Sequence, residues 1–169
     1  MSGVPFVCSP PEVVKRMLEV AAVGPSDIVC DLGCGDGRIL IAAVEGFKAK
    51  EAIGYEMRED VYKKALEEVT GANLQERIRI INGDFFEANL SRPSVITVYL
   101  NSFANEKVKL KLEKEASLGT RIVSHDFSMP GWRPMIEDTL QGDYASHTIY
   151  LYVVPAAFSA DNPCNKTGP

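Results

Sequence analysis

Apolar and polar positions alternate along the chain in a way that predicts strands interleaved with helices. Between the strands, apolar residues recur every three or four positions, which is the spacing of an amphipathic helix. Helices of this kind are predicted near residues 11–21, 38–46 and 59–69, the last burying Val61, Ala65, Leu66 and Val69. Short apolar runs that read as strands lie at 27–32, 51–56, 77–81, 94–100, 120–124 and 147–154.

Two stretches are less clear. In residues 104–116, Val108, Leu110 and Leu112 alternate with lysines, which by itself favours a strand. The segment is also rich in Glu, Lys and Leu, and a parallel sheet needs a crossover helix at this point, so a helix is predicted. Residues 130–143 are predicted to hold a short strand or a loop. The alternation indicates an α/β domain with a mostly parallel sheet.

A glycine-rich turn follows the first strand, with the sequence Asp-Leu-Gly-Cys-Gly-Asp-Gly-Arg over residues 31–38. Strand, glycine turn and helix in this order bring backbone N–H groups up to a bound ligand. Glycine suits such a turn because it accepts a positive φ and lets a ligand approach the main chain. Without further support, an ordinary turn that binds nothing would explain the pattern equally well.

Further support comes from acidic residues at the ends of successive strands. Asp31 follows the first strand, Glu56 the second, and Asp84 with Phe85 the third. Ligands of open α/β sheets bind beyond the carboxyl ends of the strands. An acid after the second strand can accept both hydroxyls of a ribose, and one after the third can accept an adenine amine. These positions predict an adenosine-containing cofactor.

The spacing of the glycines in the turn distinguishes between the possible cofactors. Gly33, Gly35 and Gly37 stand one residue closer together than the dinucleotide pattern G-x-G-x-x-G. Asp31 would also repel a pyrophosphate, whereas its carboxylate suits a ligand with an ammonium group. The pattern therefore favours S-adenosylmethionine and makes a nicotinamide oxidoreductase the least favoured reading.

Composition narrows the class of protein. A chain of 169 residues, 46% of them hydrophobic, suits one well-packed domain. The net charge of −5 disfavours bulk binding to nucleic acid or to anionic membranes. No signal peptide or membrane span is recognised, so a cytoplasmic protein is expected. Cys30 and Cys34 flank the turn, but alone they make a poor zinc site; they are interpreted as buried thiols, and no metal is expected.

The glycine turn, Gly54-Tyr55-Glu56 and Gly83-Asp84-Phe85 resemble the class I S-adenosylmethionine-dependent methyltransferases. More narrowly, the chain is similar to the small archaeal protein-lysine methyltransferases of broad specificity, over roughly residues 5–154. The narrower match rests on Phe6-Val7-Cys8-Ser9-Pro10, Asn105-Glu106, 109–113, 121–127, Pro130-Gly131-Trp132 and 147–152. Two departures lie in the first of these segments: Cys8 replaces the usual proline and Ser9 the usual threonine.

The resemblance implies a Rossmann-like fold, with a seven-stranded, mostly parallel sheet and helices on both faces. We expect one domain over residues 1–158, whose residues 1–12 form an arm over the cofactor, and a disordered tail over residues 159–169. The cofactor would be S-adenosylmethionine, with S-adenosylhomocysteine as product. The residues expected to bind it are Ser9, Asp31, Gly33, Gly35, Asp36, Gly37, Glu56, Asp84, Phe85 and Tyr99. The residues expected to line the catalytic side are Tyr99, Asn101, Phe103, His125 and Trp132.

The implied acceptor is the ε-amine of lysines exposed on partner proteins, and a monomer is expected. A lysine must lose its proton before it can attack the methyl group, and a dry aromatic pocket would lower its pKa. Tyr99, Phe103, Phe127 and Trp132 could build that pocket. His125 could assist proton removal, although no single general base can be named. The alternatives are a methyltransferase for small molecules or nucleic acid, and a non-catalytic protein that binds S-adenosylmethionine.

Overall fold

The computed structural model describes residues 7–158. The elements, in chain order, are α1 Pro11–Val20, β1 Ile28–Leu32, α2 Arg38–Glu45, β2 Glu51–Glu56, α3 Glu59–Gly71, β3 Ile78–Asn82, the 3-10 turn Phe85–Glu87, β4 Val95–Val98, α4 Ser102–Glu115, β5 Arg121–His125, β6 Ile136–Gln141 and β7 Ser146–Val153. Residues 1–6 of the predicted arm, and all of the predicted tail, lie outside the described residues.

One seven-stranded sheet organises the fold, in the order β3-β2-β1-β4-β5-β7-β6. The strands from β3 to β5 are parallel, whereas β7 runs antiparallel to both β5 and β6. Leu32, near the end of β1, pairs with Tyr55 of β2 and with Val98 of β4. The carboxyl ends of these strands are therefore level, at one edge of the sheet. The predicted fold class is confirmed.

Each face of the sheet is covered by helices, as predicted. Side chains alternate across a strand, so neighbouring residues of β1 enter different cores. Val29 packs with α1, α2 and α3, whereas Cys30 packs on the opposite face with residues of α4. No helix within residues 7–158 is long and apolar enough to cross a membrane.

The two unclear stretches are resolved by packing. Residues 102–115 form a helix in which Val108 and Leu112 are fully buried while Leu110 is 67% exposed, so the apolar positions serve a helical face. The stretch 130–143 contains a strand, β6. One prediction for α3 is wrong: Leu66 is 37% exposed, because the buried face of that helix repeats every four residues through Val61, Ala65 and Val69.

The close packing of β2 on the glycine turn requires a glycine at position 54. A Cβ atom there would stand 2.6 Å from Cys34 Sγ and 2.6 Å from Leu40 Cδ1, closer than real Cβ atoms come to other atoms. On the other side, the N–H groups of Gly33 and Cys34 both donate to the Tyr55 carbonyl, at 3.0 and 2.9 Å. The position of the turn is therefore fixed by β2.

We expect Gly54→Ala to lower the midpoint of thermal unfolding by about 2–10 °C, because overpacking a core costs about 1–3 kcal/mol. The turn should also shift, so affinity for an adenosine ligand should fall. Gly71→Ala is the matched control, since a Cβ atom there would meet nothing within 4 Å. Equal unfolding midpoints for the two variants, measured by calorimetry, would contradict the packing described here.

Candidate functional site

A cleft with a volume of about 510 Å³ lies at the carboxyl ends of β1, β2 and β4. This is the size and place expected of a ligand site in an α/β sheet. Its lining residues are Val7, Gly33, Tyr55, Glu56, Met57, Arg58, Phe85, Tyr99, Leu100, Asn101, Ala104 and Phe127. A larger groove of about 890 Å³ lies between α1, α2 and α3, away from these strand ends.

The glycine turn borders the cleft at Gly33. Gly33, Gly35 and Gly37 have φ values of +84°, +56° and +82°, in the region that favours glycine. The Gly35 N–H donates to Glu56 Oε2 at 3.1 Å, and the Arg58 N–H donates to Oε1 of the same carboxylate at 2.9 Å. Glu56 is therefore held at the cleft wall, in place to accept hydroxyl groups.

Asp31 is a buried carboxylate, 3% exposed, at the end of β1. Its Oδ1 accepts a 2.8 Å hydrogen bond from Thr97 Oγ1, and within residues 7–158 it has no ion pair. The pKa of Asp31 is raised to about 7, chiefly by burial; the hydrogen bond from Thr97 opposes this rise, and the negative charges of Glu56 and Asp36 add to it. A cation that enters next to this carboxyl group, such as an ammonium group, favours its ionised form and lowers its pKa.

Asp36 is engaged elsewhere. Its two oxygens accept from Arg38 Nε at 3.0 Å and Nη2 at 2.7 Å, and Arg38 Nη1 donates to the Ser9 carbonyl at 3.1 Å. Burial alone would raise the pKa of Asp36, but the guanidinium of Arg38 holds it below its usual value. Asp36 and Arg38 therefore fasten the segment before α1 to the glycine turn, and Asp36 also lines a small cavity with Asp31 and Gly33.

The residues after β3 form the far end of the cleft. Asp84 Oδ1 accepts a 2.9 Å hydrogen bond from the Phe86 N–H, which starts the 3-10 turn. Phe85 lines the cleft directly, and its ring lies 4.7 Å from that of Phe86, between centroids. Phe85 is thus placed to contact a flat ligand, with Asp84 beside it.

Three of the residues that follow β4 line the cleft, and one faces outwards. Tyr99 lies with its ring centroid 4.0 Å from that of His125 and 6.4 Å from that of Phe127. Asn101 lines the cleft and caps α4, where its Oδ1 accepts from the Ala104 N–H at 2.9 Å. Phe103 lies outside the cleft and is 68% exposed, with Lys107 Nζ 4.3 Å from the centroid of its ring.

His125 is completely buried behind Tyr99, instead of facing the cleft. Its Nδ1 lies 2.8 Å from Ser9 Oγ and its Nε2 lies 3.0 Å from His147 Nδ1. Burial lowers the pKa of His125 to about 4, with the nearby His147 acting in the same direction and Asp126 opposing. Ser9 is thus bonded to His125 and does not cap α1, whose N-cap residue is Pro10.

Trp132 is not brought to the cleft. It is 7% exposed in the core beneath α4, where its Nε1 donates to Glu113 Oε1 at 2.8 Å and its ring packs on Tyr152. Sequence reasoning missed Thr97, the residue beside Asp31 in the β1–β4 pairing. The signal for it was a hydroxyl group inside an otherwise apolar strand.

The two thiols that flank the turn are buried, as predicted. Cys30 and Cys34 are free, and each is at most 5% exposed. Burial raises the pKa of Cys30 to about 12, and the charge of Asp31 adds to this effect. Burial likewise raises the pKa of Cys34, with Asp31 and Glu56 adding to it. Both are protonated at neutral pH.

Comparisons with known proteins agree with this geometry. Residues 31–136 match the ANTKMT methyltransferase domain family. A protein-lysine N-methyltransferase of Saccharolobus islandicus is 44% identical over 151 residues, which is 89% of this chain and 94% of that protein. The mouse adenine nucleotide translocase lysine N-methyltransferase is 29% identical over 78% of this chain and 57% of its own length.

A solved structure extends the comparison. The crystal structure of an RNA methyltransferase from Salinibacter ruber, in complex with S-adenosyl-L-homocysteine, superposes with a TM-score of 0.83 and 39% identity. The match covers 88% of this chain and 94% of that one. The relatives therefore agree on the fold and on methyl transfer, while their described acceptors differ between protein and RNA.

We expect Asp31→Asn to reduce affinity for S-adenosylhomocysteine by about 30-fold or more, since losing one partner of a buried charge pair costs about 2–5 kcal/mol. Without ligand, the variant should unfold at an equal or higher temperature at pH 8. A carboxyl whose pKa is raised on folding weakens the fold above that pKa, and the amide removes this penalty. Titration calorimetry and thermal unfolding provide the two measurements.

Asp143→Asn is the control, because it removes the same negative charge from an exposed turn. It should change neither the affinity for S-adenosylhomocysteine nor the unfolding temperature. In the unmodified protein, affinity should fall about tenfold from pH 8 to pH 6, because below the raised pKa of Asp31 a proton competes with the ligand ammonium. This slope should vanish in Asp31→Asn. A variant that unfolds earlier yet binds normally would show that Asp31 serves the fold alone.

Proposed function

Since the chain belongs to the ANTKMT methyltransferase domain family, we propose that it transfers the methyl group of S-adenosylmethionine to the ε-amine of lysine side chains in other proteins. The observation that carries the acceptor assignment is the 44% identity to an archaeal protein-lysine N-methyltransferase, over nearly the whole of that protein. Free thiols at Cys30 and Cys34 support a reducing, cytoplasmic setting.

The described residues fit the cofactor. S-adenosylmethionine supplies a methyl group activated by a sulfonium charge. Asp31 is buried and has no ion pair in the part of the chain that the structure describes, so it suits the ammonium of the methionyl part, while Glu56 suits the ribose hydroxyls. Asp84 and Phe85 suit the adenine, and the glycine turn leaves room for the ligand beside its main chain.

The acceptor side of the cleft has an apolar wall made of Tyr99, Leu100 and Phe127. A lysine with a pKa near 10.4 must be neutral to act as a nucleophile, which costs about 4.6 kcal/mol at pH 7. Desolvation against this wall disfavours the charged ammonium and so lowers the pKa of a lysine that enters. We assign the wall two tasks, which are to exclude water and to align the amine with the methyl group.

Removal of the proton does not need a dedicated base in this proposal. His125 is unsuited, because it is buried behind Tyr99 and its pKa is lowered to about 4. Asn101 has no basic group, and its oxygen is used to cap α4. In our proposal the lysine therefore loses its proton to solvent as it enters the cleft.

RNA is the second candidate acceptor, because the Salinibacter structure is described as an RNA methyltransferase. The net charge of −5 argues against it, since nucleic-acid binding draws most of its affinity from phosphate contacts. The two acceptors predict opposite results in one experiment.

The protein, labelled S-adenosylmethionine and a cell extract are incubated together, and the extract is then separated into protein, RNA and small molecules. We expect label in protein, with mass spectrometry locating added methyl groups on lysines. Asp31→Asn should remove this label, and Asp143→Asn should retain it. Label confined to RNA or to small molecules would overturn the lysine proposal while leaving methyl transfer intact.

A second variant tests the apolar wall. Phe127 is 36% exposed at the cleft, and Phe127→Ala should reduce kcat/KM for a methylated protein about tenfold or more. The reason is that water then reaches the lysine amine. A loss of about 1.4 kcal/mol of transition-state stabilisation is enough for a tenfold decrease in kcat/KM. Affinity for S-adenosylhomocysteine should stay within about twofold. Leu118→Ala removes an apolar side chain that is 83% exposed elsewhere and should leave both quantities unchanged.

A further inference from the structure

Three ligand-type atoms converge behind the cleft, where the end of β5 meets the start of β7. They are His125 Nε2, Asp126 Oδ2 and His147 Nδ1, and all lie within 4.8 Å of one another. The two histidine nitrogens are 3.0 Å apart, and the Asp126 oxygen lies 3.3 Å from His125 Nε2 and 3.2 Å from His147 Nδ1. The antiparallel pairing of β5 with β7 brings these residues together.

Hydrogen bonding alone accounts poorly for this triangle. If His125 Nδ1 donates to Ser9, a proton on His147 Nδ1 can be shared between His125 Nε2 and Asp126 Oδ2. Those two atoms are then both acceptors, only 3.3 Å apart, with no proton between them. A divalent ion binds such a set through all three lone pairs. With bonds of about 2.0–2.1 Å, the ion would sit about 1 Å above the plane of the three atoms, which suits tetrahedral coordination.

We propose that His125, Asp126 and His147 form a binding site for a divalent transition metal, with Zn²⁺ as the best-suited ion. Two imidazoles and one carboxylate are ligands that zinc accepts in proteins. The set carries one negative charge when both rings are neutral, so it leaves an excess positive charge on the bound ion. This site is independent of the proposed acceptor.

The surroundings of the three ligands support the assignment. Metal-binding histidines usually donate their second nitrogen to an oxygen, and His125 Nδ1 lies 2.8 Å from Ser9 Oγ. The other oxygen of Asp126, Oδ1, accepts from the Thr148 N–H at 2.9 Å. Asp126 also has a φ of +59°, a conformation that costs energy for a residue other than glycine. That backbone aims the carboxylate at the two histidines.

The site is open on one side. The side chain of His125 is completely buried, whereas those of Asp126 and His147 are 27% and 18% exposed. An ion can therefore enter from solvent, and a water molecule can complete its coordination. The bound ion would tie β5 and β7 to the segment at Ser9, directly behind the Tyr99 ring that lines the cleft.

The chain is well suited to a direct test, because it contains only two histidines and both belong to the site. Untagged full-length protein, cleared with a chelator, is titrated with Zn²⁺ by calorimetry and with Co²⁺ by visible absorption. Nitrogen NMR of the two imidazoles is recorded in parallel. We expect one Zn²⁺ per chain, shifts of both imidazoles, and Co²⁺ bands typical of tetrahedral coordination.

Two ligand variants and one control complete the experiment. Asp126→Asn keeps a residue that tolerates positive φ, and His147→Ala removes the more exposed histidine. Each should weaken Zn²⁺ binding by about 100-fold or more, since even partners of the ligands are worth about 10- to 100-fold. Asp143→Asn, in the turn between β6 and β7, should bind as the unmodified protein does.

Binding of S-adenosylhomocysteine reports whether each variant is folded. Folded variants with unchanged Zn²⁺ affinity would overturn the proposal. So would imidazole signals that do not move with the ion, or a thiolate charge-transfer band of Co²⁺, which would place the ion on cysteines. If the protein binds no metal, the triangle is a hydrogen-bonded group only, and the proposal is wrong.

Discussion

The parallel pairing of β1 with both β2 and β4 is the constraint on which the site depends. It sets the ends of these strands level, so that Glu56 and Tyr99 line one cleft although the sequence separates them widely. Asp31 lines a small cavity that shares Gly33 and Tyr99 with that cleft. The close contact between Gly54 and Cys34 then fixes the height of the glycine turn above the sheet. The backbone thus fixes the positions of the strand ends and of the glycine turn in the absence of a ligand.

Electrostatics complete that preparation. Asp31, Asp36 and Glu56 crowd one end of the sheet, and each is stabilised differently. Arg38 neutralises Asp36, two backbone N–H groups hold Glu56, and among residues 7–158 only the Thr97 hydroxyl group donates a side-chain hydrogen bond to Asp31. Under the proposed function, the ammonium group of S-adenosylmethionine would bring a positive charge next to Asp31. Burial of these charges lowers the stability of the protein without ligand. A ligand cation that relieves this cost gains the same free energy on binding.

Local sequence patterns were sufficient to predict an α/β domain with a mostly parallel sheet and the strand-end acids, whereas the seven-stranded Rossmann-like sheet was implied by the family resemblance. Glu56 and Asp84 are placed by chain connectivity alone, because each directly follows or ends a strand that apolar residues define. The orientation of aromatic residues was not predictable in this way. Phe103 follows β4, as the cleft residue Tyr99 does, but its side chain is exposed to solvent. Trp132 follows β5, as the cleft residue Phe127 does, but it is packed in the core. His125 and His147 come together only through the antiparallel register of β5 and β7, which no local pattern encodes.

The two cysteines beside the glycine turn bear on how the protein tolerates oxidants. Oxidation of cysteine proceeds through the thiolate and requires access to the sulfur. Cys30 and Cys34 are buried, burial raises the pKa of both thiols, and Cys34 Sγ packs closely against Gly54. Peroxide that modifies exposed thiols should therefore leave these two cysteines unchanged.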